Sequence, residues 1–178
     1  MSAQPRADEH PVTPLLVMAP PRLDEWLVVN DNVMGGRSDG GLHIDAGQLV
    51  FSGSLNTDGG GFASIRSLSL DVALAPFEGI ALRVRGDGRT YACDLRDAPT
   101  VRGSGVTWKA FFETKPGVLA ETRLPFALFE PTWRGMSLRG KGQPLPSQFH
   151  LATRSVGFTI ADRRDGPFRL EVRAIGAY

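Results

Sequence analysis

The sequence predicts an all-β protein, a two-sheet jelly-roll β-sandwich. Its 178 residues are enough for about one domain. Glycine (21) and proline (13) are frequent, with no collagen-like period. Short runs of alternating apolar and polar residues recur between glycine-rich turns. Because glycine and proline concentrate in turns, we expect about nine or ten short strands, which excludes long helical bundles and coiled coils.

Residues 1–22 are interpreted as a flexible, proline-rich leader, and residues 23–178 as the single domain. The leader's apolar run, residues 15–19, is too short for the core of a signal peptide or for a membrane span. We therefore expect a soluble, cytoplasmic protein without a signal peptide, a transmembrane segment or direct membrane insertion.

Period-two alternation predicts the strands that follow the leader. The last strand shows it most clearly, because Phe168, Leu170 and Val172 alternate with charged residues and should face the core. Glycines at 86 and 88 predict a hairpin turn between the two strands that flank them. The predicted strands are 26–29, 42–44, 49–55, 62–72, 80–85, 91–95, 106–113, 155–161 and 168–175.

Two further segments have a distinct character. Residues 126–129 follow a proline and are expected to form one helical turn, and residues 134–148 read as a long polar loop. The single cysteine, Cys93, excludes an internal disulfide and a multi-cysteine metal cage. Because it alternates with Tyr91 and Leu95, we expect it to be a small buried side chain.

The charge is nearly balanced overall but unevenly distributed. The net charge is +1, so no global field attracts nucleic acid, and no nucleic-acid partner is expected. Residues 1–50 carry three arginines and seven acidic residues, whereas residues 131–178 carry eight basic and three acidic residues. The basic C-terminal third is either an interaction face or an ordinary solvated surface.

The sequence contains no recognisable catalytic constellation, and we expect a protein that is not an enzyme. Its three histidines, His10, His43 and His150, lack the spacing of metal ligands on a helix. Ser104 lies in a glycine-containing loop and not in the strand-to-helix turn of a hydrolase nucleophile. An enzyme would require a deep pocket with convergent titratable groups.

Three glycine-rich polar clusters stand out. Aspartate and asparagine in the segment 30–38 can bond to their own backbone. The triple glycine 59–61, which leads into the strand carrying Arg66, indicates a bulge or the close approach of another backbone segment. The segment 165–168 is interpreted as a hairpin turn that enters the last strand.

The polar residues near these turns have two open interpretations. They contact a partner on a rigid surface, or they bond to one another and hold the loops in place. No cofactor is expected, with calcium as the one ion considered, since the turn 56–58 is rich in oxygen ligands although no complete EF-hand loop is present. The candidate binding residues are Asp31, Asn32, Arg37, Ser38, Arg66, Asp87, Arg89, Tyr91 and Trp133.

The order of these motifs resembles the complex I intermediate-associated protein family, the thirty-kilodalton assembly-factor class. The resemblance covers roughly residues 23–176. It is carried by Trp26, Asn30-Asp31-Asn32-Val33-Met34-Gly35-Gly36-Arg37-Ser38, Phe51-Ser52-Gly53, Gly60-Gly61-Phe62-Ala63-Ser64-Ile65-Arg66, Gly79, Arg85-Gly86-Asp87-Gly88-Arg89-Thr90-Tyr91, Phe111, Leu124-Pro125-Phe126 with Phe129, Arg134-Gly135, Val156-Gly157-Phe158 and Asp165-Gly166-Pro167-Phe168.

This resemblance implies a galactose-binding-domain-like jelly roll and a non-catalytic assembly factor or chaperone. The implied partners are protein subunits or assembly intermediates of respiratory complex I (NADH:ubiquinone oxidoreductase) or of another membrane electron-transport complex. The alternative is a carbohydrate-binding module of the same fold. In that case Tyr91, Trp108 and Trp133 are the available stacking platforms, with Trp133 in the polar loop either exposed to a sugar or packed as an anchor.

Overall fold

The computed structural model describes residues 11–16, 22–68, 70, 73–97, 105–142 and 147–178. In these residues thirteen strands form two antiparallel sheets, and the regular helical segments are short 3-10 turns. The predicted all-β two-sheet sandwich is therefore confirmed. The six-stranded sheet contains β1 (Thr13–Leu16), β3 (Asp39–Asp45), β4 (Gln48–Leu55), β6 (Gly79–Arg85), β9 (Leu119–Pro125) and β13 (Gly166–Ala177); the seven-stranded sheet contains β2 (Trp26–Asn30), β5 (Ala63–Ser67), β7 (Thr90–Asp97), β8 (Thr107–Glu113), β10 (Glu130–Trp133), β11 (Met136–Ser137) and β12 (Thr153–Ile160).

The strand order places long strands at the centre of each sheet. The six-stranded sheet runs β3-β4-β13-β6-β9, with β1 also paired to β13. The seven-stranded sheet runs β11-β10-β8-β7-β12-β5-β2. Strand β13 has 12 residues, which is long enough for β4 to pair with residues 166–172 and β1 with residues 175–177. It also pairs with β6, with a bulge between Val172 and Ala174.

The core lies between the two sheets and follows the alternation in the sequence. Phe168, Leu170 and Val172 are buried, as predicted. The rings of Phe51 and Phe168 meet edge to face, with centroids 4.9 Å apart. Cys93 is also buried, which confirms its expected role as a core side chain, and its burial raises the pKa of the thiol well above the ordinary value.

Several element boundaries differ from the prediction. The predicted strand 62–72 ends at Ser67, and strands β9, β10 and β11 were not predicted. These three strands have few buried side chains in alternation, so the pattern that reveals a half-buried strand is weak in them. The helical turn expected after Pro125 is present as a 3-10 turn, Phe126–Leu128.

The structure differs from the prediction for one part of the flexible leader. Thr13–Leu16 form strand β1, which pairs with the end of β13, and the side chain of Leu15 is buried. Pro14 is tolerated because an edge strand does not need every N–H donor. Residues 1–10 and 17–21 lie outside the described residues, as does Ser104, so the rest of the leader and the domain boundary stay predictions.

Two predicted hairpins are wrong. Strand β6 lies in the six-stranded sheet and β7 in the seven-stranded sheet, so residues 86–89 cross between sheets. The same is true of residues 161–165, which connect β12 to β13. Alternation shows which side chains face the core, but it does not show which strand is the neighbour. Because all ladders are antiparallel, five such crossings meet at one end of the sandwich, which we call the crossover end: β2–β3, β4–β5, β6–β7, β8–β9 and β12–β13.

Candidate functional site

A buried carboxylate, Asp31, joins two loops of the crossover end. Its Oδ1 accepts the backbone N–H of Ser38 at 2.9 Å, and its Oδ2 accepts the Ser38 hydroxyl at 2.7 Å. Oδ2 also accepts the N–H groups of Gly61 at 2.6 Å and Phe62 at 3.3 Å. The Ser38 hydroxyl in turn accepts the N–H of Asn56 at 3.1 Å. Asp31 therefore holds the β2–β3 and β4–β5 connections together.

The glycines around Asp31 are required by the space that its side chain takes. A Cβ atom at Gly36 would lie 2.2 Å from the Asp31 Cγ, and one at Gly60 would lie 2.4 Å from its Oδ2. Gly35 has a φ of 89°, in the left-handed region that favours glycine. The group that approaches the glycine triplet is therefore a side-chain carboxylate, and not the backbone segment that the sequence analysis expected.

Acid should destabilise the fold by protonating the buried carboxylate of Asp31. Burial raises the pKa of Asp31, but the hydrogen bonds from Gly61, Ser38 and Phe62 lower it more, so the net pKa lies below its ordinary value. A lowered folded-state pKa gives stability that is complete above the unfolded-state value, near pH 4, and that is lost as the pH falls through the folded-state pKa. We expect the urea midpoint to be flat from neutral pH down to about pH 5 and to fall below about pH 4.

The control for this pH dependence is the Asp31→Asn variant, which cannot titrate at this position. Its urea midpoint should depend less steeply on pH in the acid range than that of the wild type. If the urea midpoints of the two proteins fell equally steeply in the acid range, the pH dependence could not be assigned to Asp31.

Arg89 is the second buried charge of the crossover end. Its Nε and Nη2 donate to the two carboxylate oxygens of Asp162 at 2.9 and 2.5 Å, and the side chains are 5% and 7% exposed. Nη1 donates to the carbonyls of Gly166 and Pro167, and Nη2 also donates to the carbonyl of Arg164. One guanidinium thus ties the β12–β13 connection to the start of β7.

The pKa values of the two partners agree with a paired buried charge. The hydrogen bond to Asp162 raises the pKa of Arg89. Burial raises the pKa of Asp162, but the hydrogen bond from Arg89 and its positive charge lower the pKa by more. The net pKa of Asp162 is therefore below the ordinary value. Both groups are therefore held in their charged forms.

Asp87 organises the β6–β7 crossing next to Arg89. Its carboxylate accepts the N–H of Arg89 at 3.1 Å, the N–H of Arg169 at 2.7 Å and the hydroxyl of Tyr91 at 3.1 Å. Tyr91 is fully buried, and burial together with the charge of Asp87 raises the pKa of its hydroxyl. A hydrogen bond of 2.7 Å from the N–H of Thr57 to Asp165 links this half of the network to the Asp31 half.

The predicted binding residues fall into two groups, those buried in this network and those outside it. Asp31, Ser38, Arg89 and Tyr91 are each less than 10% exposed, so the prediction that they form a contact surface is wrong in the folded protein. Their polar atoms are used within the chain, as the second interpretation of the sequence expected. The sequence did not single out Asp162, because its role depends on a pairing 73 residues away.

The remaining candidates lie apart from this network. Asn32 is exposed, and Arg37 is exposed and forms a 3.6 Å ion pair with Asp58. Trp133 is half-buried at the end of β10, with the Arg134 guanidinium 4.8 Å from its ring centroid. Arg66 lies in the middle of β5, away from the crossover end.

The row that contains Arg66 runs across the outer face of the seven-stranded sheet. Residues directly opposite one another in neighbouring strands form this row, and their sequence neighbours Ile65, Cys93 and Phe158 are in the core. The row therefore faces away from the core. It consists of Leu27, Arg66, Gly157, Asp94, Lys109 and Glu130.

Part of this row is a closed polar cluster. The Lys109 ammonium lies 2.8 Å from both carboxylate oxygens of Asp94 and donates to the Thr159 hydroxyl at 2.8 Å. That hydroxyl donates to Asp94 at 2.6 Å. The charges of Lys109 and Asp94 therefore balance each other. Sequence reasoning missed this cluster, because only the strand register brings the three residues together.

Arg66 and the neighbouring Arg96 are the unbalanced cations of this face. Neither guanidinium forms an ion pair or a hydrogen bond with the residues that the structure describes. Burial lowers the pKa of Arg66, the positive charge of Arg96 lowers it further, and Asp94 raises it. The two arginines are therefore close enough to repel each other.

The aromatic rings predicted as stacking platforms for a sugar mostly pack against other side chains of the protein. Tyr91 is fully buried, and Trp108 stacks on Phe149 with ring centroids 4.1 Å apart and an interplanar angle of 9°. Trp133 lies under the Arg134 guanidinium. Of the three predicted stacking platforms, Tyr91 is thus in the core, and the half-buried Trp108 has one ring face covered by Phe149.

The described residues offer little for metal or pocket chemistry. They contain no group of three or more histidine, cysteine or acidic side chains able to hold a metal ion. In the turn proposed for calcium, the Asn56 side-chain oxygen accepts the N–H of Asp58 at 2.9 Å. A shallow depression of about 220 Å³ on the six-stranded sheet is lined mainly by aliphatic groups, with Arg83 and Glu121 at its side. The expected absence of a cofactor stays a prediction.

Across the described part of the chain, no helix has the length and apolar character that a membrane crossing requires.

Comparison with curated proteins gives relatives with one shared name. The chain is 29% identical to "Complex I intermediate-associated protein 30, mitochondrial" of Mus musculus, over 88% of this chain and 52% of the relative. It is 28% identical to the Drosophila melanogaster protein of that name, over 89% of this chain and 60% of the relative. The chain thus spans about half the length of the curated relatives it matches. These relatives are named for their association with complex I intermediates and not for a reaction.

Comparison with solved structures shows the fold. The chain is similar to the family 11 carbohydrate-binding module of Clostridium thermocellum, solved in complex with a mixed-linked tetrasaccharide, with a TM-score of 0.58, 14% identity and coverage of 85% of this chain and 88% of the module. The family 11 module of the cellulase Lic26A-Cel5E gives a TM-score of 0.56 at 14% identity and 85% coverage of each chain. The predicted jelly-roll fold is confirmed.

These findings correct one prediction and establish the family. The expectation of a cytoplasmic protein is wrong, because the relatives from mouse, fly and Caenorhabditis elegans are named as mitochondrial proteins. The model of "Complex I intermediate-associated protein 30 (CIA30)" matches residues 16–172, and the chain belongs to this family.

Proposed function

We propose that this chain is a non-catalytic protein-binding factor that assists the assembly of respiratory complex I or of a related membrane electron-transport complex. The observation that carries the proposal is the family match over residues 16–172, together with relatives named for complex I intermediates. The partners are subunits or assembly intermediates of that complex.

The structure supports a binding role through its rigidity. The buried Asp31 and Arg89 networks fix the loops of the crossover end before any partner arrives. A pre-organised protein loses little conformational entropy on binding, so a modest contact area gives useful affinity. The side chains of Asp31, Asp94, Asp162 and Tyr91 form hydrogen bonds within the chain, and none of them lines the depression on the six-stranded sheet, which supports a role without catalysis.

A carbohydrate-binding role has weaker support. The similarity to the carbohydrate-binding modules is at 14% identity and shows the fold alone. Of the three rings that the sequence offered as platforms, Tyr91 is fully buried, and the half-buried Trp108 is stacked on Phe149.

We expect the immobilised full chain to retain complex I subunits from detergent-solubilised respiratory membranes of its source organism, as identified by mass spectrometry. The matched control is the family 11 carbohydrate-binding module, which shares the fold. Oligosaccharide titrations by calorimetry run in parallel. Enrichment of complex I subunits over the control supports the proposal. Sugar binding without such enrichment, or turnover of a metabolite by the purified chain, would replace it.

A further inference from the structure

Arg66 and Arg96 form a local concentration of positive charge on the outer face of the seven-stranded sheet. Among Arg66, Arg96, Lys109 and Asp94, three cations meet one carboxylate, and Lys109 already neutralises Asp94. Arg66 is half-buried and has Arg96 as an electrostatic neighbour. A partly desolvated guanidinium beside a like charge is unfavourable until an anion binds to it. The arrangement is therefore complementary to negative charge.

The floor between the two arginines has no bulky side chain. Arg66 lies opposite Gly157 on β12, and Arg96 lies opposite Ser155 on the same strand. Neighbouring strands are about 4.8 Å apart, so β5 and β7 are separated by roughly 10 Å across β12. A chain segment lying along β12 would have a guanidinium on each side. The fork of donors on each arginine suits carboxylates, which it binds through two parallel hydrogen bonds.

Gly157 is glycine for a structural reason that also keeps this floor open. A Cβ atom there would lie 2.2 Å from the carbonyl oxygen of Ile65 and 3.0 Å from the Arg66 Cα. Substitution of Gly157 would therefore disturb the β5–β12 pairing, and it is unsuitable as a test of binding.

Exposed apolar side chains lie next to the cationic pair. Leu27 is directly opposite Arg66 on the edge strand β2 and is 48% exposed. Leu68 follows directly after β5 and is 56% exposed. An interaction site typically combines apolar contacts with a few fixed polar groups. The surface formed by Leu27, Arg66, Leu68, Arg96, Ser155 and Gly157 is called the Arg66–Arg96 face below.

We infer that the Arg66–Arg96 face binds an acidic segment of a protein partner, with carboxylates on the two guanidiniums and an apolar side chain against Leu27 and Leu68. This inference rests on the proposed function, because it names the surface and the chemistry through which an assembly intermediate is recognised. Two arginines with flanking leucines suit a peptide better than a membrane, which is attracted by clusters of about four to eight basic residues.

The test uses the full chain and a short fluorescein-labelled peptide composed of aspartate, glutamate and leucine. Fluorescence anisotropy gives its affinity, and a matched peptide carries asparagine and glutamine in place of the acidic residues. We expect Arg66→Gln and Arg96→Gln each to weaken binding of the acidic peptide about tenfold, the loss of one charge-assisted contact. The matched control is Arg83→Gln, an exposed arginine on the six-stranded sheet, which should change the affinity less than about twofold.

The conservative variant separates binding from folding. Arg66→Lys keeps the charge but loses the fork of donors, and it should bind with an affinity between those of the wild type and Arg66→Gln. Amide chemical shifts should change in β5, β7 and β12 when the acidic peptide is added. Equal affinity for the two peptides, equal losses in Arg83→Gln and Arg66→Gln, or binding to phosphatidylglycerol vesicles without binding to the acidic peptide would overturn the inference.

A second measurement distinguishes failure of this inference from failure of the proposed function. The chain carrying both Arg66→Gln and Arg96→Gln is compared with the wild type in the capture of complex I subunits. Lower capture by the double variant supports the inference. Equal capture by both proteins leaves the assembly role intact and overturns the Arg66–Arg96 face. Absence of capture by the wild type rejects the assembly role, and the peptide affinities then decide on the face alone.

Discussion

Replacing Asp31 with asparagine should lower the free energy of unfolding by about 3 kcal/mol. The side chain is fully buried and accepts four hydrogen bonds, from Ser38, Gly61 and Phe62. Asparagine has the same shape, but one of its acceptor oxygens is replaced by an amino group. At least one buried donor then faces another donor and remains unsatisfied. Urea denaturation followed by tryptophan fluorescence measures the loss.

Asp58→Asn is the matched control for this change. Asp58 lies in the β4–β5 connection, like the glycines that contact Asp31, but its side chain is 82% exposed and its ion pair with Arg37 is 3.6 Å long. Exposed pairs of this kind contribute roughly 0–1 kcal/mol, so the control should be close to wild type. Equal stability of the two variants would show that the Asp31 network does not hold the crossover end together.

Replacing Arg89 with methionine should be at least as damaging, with a loss of about 3–5 kcal/mol. The variant removes the guanidinium that neutralises the buried Asp162 and that binds three backbone carbonyls, one in the β12–β13 connection and two at the start of β13. Methionine fills a similar volume, so the loss reports the uncompensated charge and the unsatisfied carbonyls and not a large cavity. The measurement is again the free energy of unfolding in urea.

Removing both partners separates the ion pair from the other bonds of Arg89. In Arg89→Met with Asp162→Leu no buried charge is left alone, so part of the stability should return, although the carbonyls of Gly166 and Pro167 stay unpaired. Arg37→Met, at an exposed arginine of the same end, is the control and should change little. If the double variant is less stable than Arg89→Met, the pair itself is not the main contribution.

The motifs that carry the family resemblance coincide with this network. Residues 30–38, 60–66, 85–91 and 165–168 contain the glycines and charged side chains that join the two sheets at the crossover end. These motifs therefore report how the sandwich is closed. Partner recognition, in our proposal, depends on Arg66, which lies in β5 on the outer face of the sheet.

The sequence alone was sufficient for the fold class, the inward-facing residues and the family. Phe168, Leu170 and Cys93 were placed correctly in the core, because a strand that is buried on one face alternates with a period of two that is local and visible. The glycine triplet at 59–61 predicted a bulge or an approaching backbone, but the group close to Gly60 is the Asp31 carboxylate, which the sequence did not indicate.

Only the tertiary structure decided which strands are neighbours and which polar residues are partners. The segments at 86–88 and 165–168 look like hairpin turns in the sequence, yet each crosses between the sheets. The partner of Arg89 is 73 residues away, and Arg66 meets the Arg96 charge only across β12. Alternation gives each strand two faces but not its register or its neighbour. Register and neighbour are set by how the whole chain packs. The sequence alone therefore could not show which polar residues belong to the buried network and which lie on the exposed face.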